Sequence, residues 1–299
     1  MAAAVNPDHA AEMTGTLMPL NSDTAFGRPR NFQGNRFVYA VISPRARGLS
    51  IGINLTPDKR CNFDCAYCEV NRNVPGPADR IDVPVMAAEL TRLLDFVRQN
   101  RLGELPWFSD LPPELLELKE VTLSGDGEPT LCADFTAVMA DVAGLRARWR
   151  MAFTIVLITN TTGLDLPEVR RGLRLLTRLD EVWVKLDAGT QGYMNQVNRP
   201  DISLEQVAGN ILSLARERPV VVQSLFPLLD GCGPSEDEIE AYVQRLLKLK
   251  TAGARISLVQ VYSAHRPPHR PNCRHLPLKD LSLIARRVRE VTGLRAEVF

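Results

Sequence analysis

The chain has 299 residues, 45% of them hydrophobic, enough for one large α/β domain or two ordinary ones with a substantial core. Its 36 basic and 35 acidic side chains leave a net charge of +1, which excludes an overall basic field of the kind that draws in nucleic acid. Six cysteines in so long a chain do not make a disulfide scaffold, no apolar run reaches the length of a membrane span, and no charged-then-apolar signal opens the chain, so a reducing cytoplasm is the expected location.

Residues 1–30, rich in Ala, Pro, Asn and Asp and without periodicity, predict a loose tail. Residues 36–43 can add a strand, closed by Pro44. The expected division is therefore a tail with that extra strand over 1–48 and a core domain with a C-terminal closing segment over 49–299. The first apolar run of the core, 49–55, leads into a loop that holds Cys61, Cys65 and Cys68. A Pro/Gly stretch, 73–78, then reaches a helix with Met86, Leu90, Leu93, Leu94 and Val97 on one stripe. Residues 102–113, with three prolines and a Trp, read as an inserted loop.

The second run is 121–124, followed by a Gly-bearing loop, 125–130, and a helix near 134–143. The third, 154–158, ends at Thr159-Asn160 and precedes a helix near 166–176. The fourth, 182–186, is followed by Asn198-Arg199-Pro200 and a helix whose Ser203 and Gln206 form a capping-box pattern. The fifth, 220–226, precedes a helix with the same pattern at Ser235 and Glu238 and an apolar face of Ile239, Val243, Leu246 and Leu247. The sixth, 256–261, is paired with a helix carrying Leu281, Ile284, Ala285 and Val288.

Six strand-then-helix units with β-branched, non-alternating strands predict an α/β fold with a parallel sheet buried on both faces. A partial barrel and an open doubly wound sheet both satisfy the pattern. In either, function gathers at the C-terminal ends of the strands, where the cysteine loop lies.

Three thiols within eight residues are too close for ordinary disulfides and point to a metal site. Soft thiolates favour zinc or an iron–sulfur cluster. A structural zinc takes four protein ligands, and no fourth Cys or His follows at short spacing. A cube of iron and sulfide held by three cysteines leaves one iron open, and the C-x3-C-x2-C spacing differs from those of ferredoxins. Taken alone, the trio also fits a chance cluster or a zinc knuckle without its fourth ligand.

The spacing, with Tyr67 just before the last cysteine, resembles that of the radical S-adenosylmethionine (radical SAM) enzymes. The resemblance implies a partial (β/α)6 TIM-like barrel and a 4Fe-4S cluster on Cys61, Cys65 and Cys68. It implies SAM chelated to the open iron, reductive cleavage to a 5′-deoxyadenosyl radical, and hydrogen abstraction from a substrate that the sequence does not identify. An electron donor such as flavodoxin or ferredoxin is the implied partner. Gly125, Asp126, Gly127 and Glu128 resemble the motif that receives the SAM amino group, although a tight turn before a helix has the same composition. Thr159 and Asn160 stand where the family places polar contacts to SAM. Lys185 and Asp187, on one face of a strand, suit the SAM carboxylate and ribose hydroxyls, or a mutual salt bridge. Tyr67 resembles the aromatic residue that contacts adenine, and ordinary loop packing is its plain alternative. Gln223 and Gln260 are candidate inward polar groups.

The string from Asn54 through Lys59, the segment 185–189 and the string 262–267 resemble the wyosine-type iron–sulfur oxidoreductases, a subgroup that includes tRNA-modifying members. Such a substrate has no support from charge: the basic cluster of Arg146, Arg148 and Arg150 with Trp149 reads as a solvated face. A glycyl-radical activase and a non-catalytic zinc protein are the remaining alternatives. His265, His269, Cys273 and His275 hint at a second metal, but the prolines among them favour a closing or substrate-side loop. Cys132, Cys232 and Cys273 each follow a strand without ligand spacing.

Overall fold

The structure is a computed structural model that describes residues 32–76, 78–150, 152–264, 268 and 270–299. The expected tail and the residues His265 and His269 lie outside the described residues.

The chain begins with a hairpin of β1 (Val38–Ser43) and β2 (Gly48–Asn54), paired antiparallel. After the cysteine loop comes α1 (Val83–Arg98), which starts where Asp82 accepts a hydrogen bond from the Val85 amide and Pro84 sits in the first turn. The predicted stripe of Met86, Leu90, Leu93 and Leu94 is buried. Buried with it is Glu89, whose carboxylate accepts from the backbone amides of Arg36, Phe37 and Val38 and so fastens the edge strand.

The remaining units follow as β3 (Leu118–Ser124), α2 (Phe135–Trp149), β4 (Thr154–Thr159), α3 (Pro167–Leu173), β5 (Glu181–Lys185), α4 (Gln191–Val197), α5 (Leu204–Glu217), β6 (Val220–Leu225), β7 (Pro227–Leu229), α6 (Glu236–Thr251), β8 (Ile256–Tyr262), β9 (Cys273–His275), α7 (Leu278–Thr292) and β10 (Ala296–Val298). The capping box at Ser203 and Gln206 is complete. At Ser235 it is half formed: the serine caps the Glu238 amide, but the Glu238 carboxylate turns away to Gly189 and Thr190 in the loop after β5. A tertiary partner there outcompetes the local one.

The main sheet runs β1-β2-β3-β4-β5-β6-β8-β10, parallel throughout except for β1, while β7 and β9 form a small separate pair. This order settles what the pattern left open. A doubly wound sheet reverses its strand order at a switch point, whereas here successive strands advance in one direction, so crossovers of one hand place the helices on one face. The sheet is not closed: β1 and β10 remain its edges. It is an open, barrel-like sheet of six strand–helix units with one extra strand on each side.

Strand alternation divides the side chains between the two faces. Ile51, Ile53, Val121, Leu123, Ile155, Leu157, Val182, Val184, Val220, Val222, Val259 and Val261 enter the core shared with the helices. The opposite face is polar and internally matched. Ser50 meets Thr122 at 3.0 Å, Gln223 donates to Gln260 at 2.9 Å, and Lys185 lies 3.2 Å from the Tyr262 hydroxyl.

One buried carboxylate joins three elements on the helical side. Asp180, 4% exposed, accepts from Arg146, from the Ile155 amide at 2.9 Å, and from the Thr177 amide and hydroxyl at 2.7 and 2.9 Å. Burial would raise its pKa, but the Arg146 guanidinium and the amides outweigh this and hold it below the ordinary value. Arg146 is thus committed to the core, whereas Arg148 and Arg150 face solvent as expected. Asp180→Ala is expected to cost about 3–5 kcal/mol at neutral pH by leaving Arg146 uncompensated. Because the folded pKa is depressed, the carboxylate's contribution is present above the unfolded value of about 3.9 and is lost as pH falls through the lower folded value. Urea unfolding of wild type and Asp180→Asn at pH 7 and in acid should show the difference between them shrink as pH falls.

Candidate cofactor site at the strand ends

The cysteine loop is sewn to its neighbours at both ends. At its start, the Asn54 side chain accepts from the amides of Thr56 and Asp126 and donates to the Asp126 carboxylate at 2.7 Å. Thr56 Oγ1 accepts from the Gly127 amide at 2.8 Å, and the Glu128 amide donates to the Arg60 carbonyl at 2.9 Å. A Cβ on Gly127 would lie 1.8 Å from the Arg60 carbonyl oxygen, so only glycine lets the two loops touch. Gly127→Ala is expected to separate them at a cost of about 1–3 kcal/mol. The check is a lower melting temperature together with poorer iron retention on anaerobic purification.

At the loop's other end, the Asp64 amide donates to the Asn198 carbonyl and the Ala66 amide to the Val197 carbonyl, and Phe63 bridges Pro200. Cys61 accepts from the Phe63 amide at 3.4 Å and lies 3.8 Å from the Asn160 side-chain nitrogen, Nδ2. Cys65 lies 3.5 Å from the Asn198 side-chain nitrogen. Cys65 and Cys68 open on a cavity of about 360 Å³, bordered also by Asp64, Arg72, Asn73 and Arg270. Burial pushes the Cys61 thiol up to about 12 and the Cys65 thiol up to about 11. Burial would lower the pKa of Arg72, but the charges of Cys68, Cys61 and Cys65 raise it.

Among the described residues, no three Cys, His, Asp or Glu side chains converge on a point that would hold a single ion. A cluster gives each thiolate its own iron, so three soft donors spread along one loop beside a cavity suit it.

Two polar networks flank the loop. In the first, Glu128, 2% exposed, accepts from the Thr130 amide and hydroxyl, from Thr159 Oγ1 at 2.6 Å and from the Asn160 amide at 2.7 Å. Burial raises its pKa against the pull of these donors. Asn160 in turn donates to Asn62 at 2.9 Å. The carboxylate therefore ties the ends of β3 and β4 to each other and, through Asn160, to the cysteine loop.

In the second network, the Asp187 carboxylate is fully enclosed. One oxygen accepts from the Leu225 amide at 2.8 Å, and the other accepts from the Tyr67 hydroxyl and from Asn198 at 2.7 Å, with Lys185 at 3.6 Å. Lys185 also lies over the Tyr67 ring, 5.0 Å from its centroid. Burial would lower the lysine pKa, yet Asp187 and its other neighbours raise it, so the ammonium persists. Burial, then the Asp187 charge, raises the Tyr67 hydroxyl, which stays a donor.

The structure thus brings Tyr67, Lys185 and Asp187 together beside Cys65, and Gly125, Asp126, Gly127, Glu128, Thr159 and Asn160 together around the loop's start and Cys61. Sequence reasoning missed Asn198, which touches Cys65, Tyr67 and Asp187 at once. Of the scattered cysteines, Cys132 is half-buried, Cys232 exposed, and Cys273 buried against Tyr67 and Leu225. His275 lies on β9 and belongs to no group of three potential metal ligands among the described residues.

No family model matches the chain. A UPF0026 protein of Synechocystis sp. is 31% identical over 184 residues, 60% of this chain and 60% of that protein. Among solved structures, Streptococcus suis SuiB bound to S-adenosylmethionine has a TM-score of 0.56 and 14% identity, covering 85% of this chain and 52% of that one. TYW1 with a lysine-pyruvate adduct bound has a TM-score of 0.53 and 14% identity, covering 84% and 75%. A radical SAM methyltransferase from Sphaerobacter thermophilus has a TM-score of 0.56 and 14% identity, covering 88% and 68%. The chain has the radical SAM fold. The chain spans about 60% of the UPF0026 relative and about half of SuiB, so the likeness concerns this unit alone. Within the radical SAM fold, the open sheet described above is the expected partial barrel. No helix among the described residues is long and apolar enough to cross a membrane.

Proposed function

We propose that the chain is a radical SAM enzyme that binds a 4Fe-4S cluster through Cys61, Cys65 and Cys68 and cleaves SAM reductively, with residues 49–299 as the catalytic unit. The observation that carries this reading is the cysteine loop itself, fastened between two buried polar networks at the C-terminal end of an open parallel sheet. When bound, the cluster supplies the electron that converts SAM to methionine and a 5′-deoxyadenosyl radical.

The chain's own residues bind and orient. Asn160 and Asn198 stand beside the Cys61 and Cys65 sulfurs and fix their directions. The Lys185 ammonium donates to the Tyr262 hydroxyl at 3.2 Å and pairs with Asp187 at 3.6 Å, which leaves donor capacity for the SAM carboxylate. The backbone from Gly125 through Gly127, with Glu128, receives the amino group. Because four donors of the chain already fill the Glu128 carboxylate, its share is to hold that backbone in place. Thr159 and Asn160 add polar contacts, Tyr67 presents its ring to adenine, and Asp187 orients both Tyr67 and Lys185 beside the ribose. The electron donor in this reading is a carrier such as flavodoxin or ferredoxin.

Anaerobic purification is expected to yield a brown protein with iron and sulfide in equal amounts, which forms 5′-deoxyadenosine from SAM under a strong reductant. A colourless, zinc-loaded protein would falsify the proposal.

A further inference from the structure

Asp64, next in sequence to Cys65, is a half-exposed carboxylate at the rim of the 360 Å³ cavity. Three guanidinium groups from three separate segments converge on it. Arg270, between β8 and β9, contacts one of its oxygens directly. Arg199, between α4 and α5, lies 3.7 Å from the same oxygen, and Arg72, at the exit of the cysteine loop, lies 4.0 Å from the other. Arg146 and Asp180, by contrast, are matched one to one. Arg199 and Arg270 both address one oxygen of a single carboxylate, and their like charges repel each other there.

The matching is also incomplete in hydrogen bonds. Arg199 Nη1 is buried and has no hydrogen-bond partner, since 3.7 Å is beyond bonding range. Its backbone is held at φ 45, an uncommon conformation for a residue other than glycine. A carboxylate has two oxygens for three forked donors. A phosphoryl group has three or four oxygens arranged tetrahedrally, and guanidinium forks match such oxygens two at a time.

We propose that Arg72, Arg199 and Arg270 bind a phosphoryl group carried by the substrate, and that Asp64 holds the three side chains in place until that group displaces it. The substrate would then be anchored by its phosphate at the cavity rim, with the remainder lying toward Cys65 and Cys68; this placement rests on the function proposed above.

The test uses the full-length, cluster-loaded protein and calorimetric titration with inorganic phosphate, with acetate as the carboxylate control. Phosphate should bind more tightly than acetate. Arg199→Gln and Arg270→Gln should each weaken phosphate binding by about tenfold, the loss of one charge-assisted contact. Asp64→Asn should tighten it by removing the internal competitor, a gain that misfolding cannot imitate. Phosphate binding no better than acetate, or unchanged or weaker in Asp64→Asn, overturns the assignment. Displacement of bound phosphate by glycerol phosphate or by bulk tRNA supports it and tells a small phosphate ester from a nucleic-acid backbone; displacement by neither overturns it. Iron content and 5′-deoxyadenosine formation are measured on the same samples, so failure of the cluster chemistry is read separately from failure of the anion site.

Discussion

Serine in place of Cys65 is expected to give a folded, colourless protein that forms no detectable 5′-deoxyadenosine, a loss of more than about 10³-fold in rate. A serine hydroxyl is a hard, weakly acidic donor where the site calls for a soft thiolate, so one corner of the cluster loses its ligand. The fold should survive because the loop is held by its backbone: the Asp64 and Ala66 amides bond the carbonyls of Asn198 and Val197, and neither bond involves the sulfur. Asn198 can still donate to the serine oxygen that replaces its sulfur partner. Iron analysis, visible absorbance and thermal melting of one preparation separate these effects. Iron retained at the wild-type level would remove Cys65 from the ligand set.

Alanine in place of Asp187 should be the most damaging change to stability near the site, at about 3–5 kcal/mol. It strands the buried Lys185 ammonium and leaves the Leu225 amide, the Tyr67 hydroxyl and the Asn198 side chain without their shared acceptor. Lys185→Met in the same chain should restore part of the loss, because an apolar stem no longer carries a charge into the gap. Urea unfolding of the two single variants and the double variant measures the coupling. Strict additivity would mean that the two side chains do not interact energetically. SAM affinity should fall in Asp187→Ala and should not recover with Lys185→Met, since the donor for the SAM carboxylate is then gone.

The six strand–helix units are legible in the sequence because parallel strands buried along their length, as β2 and β6 are, are built mainly of β-branched and other apolar residues. The Ser203 cap is legible for the same kind of reason, since its partner is three residues away. The Ser235 pattern looks identical in sequence, yet Glu238 bonds across the fold to Gly189, a choice local pattern does not encode. The candidate site divides along the same line. The cysteine trio, the 125–128 loop and the Lys185–Asp187 pair are compact in sequence and stand out. Asn198 reaches Tyr67 across 131 positions, and Arg270 reaches Asp64 across 206. Such pairings exist only once the strand order has brought distant loops to one end of the sheet, and no spacing rule announces them.

The gap between β1 and β10 has a consequence for what can reach the strand ends. A sealed cylinder admits only what threads its mouth, so its rim works as a sieve. Among the described residues no strand joins the two edges, so the strand ends are open along one side as well as from above.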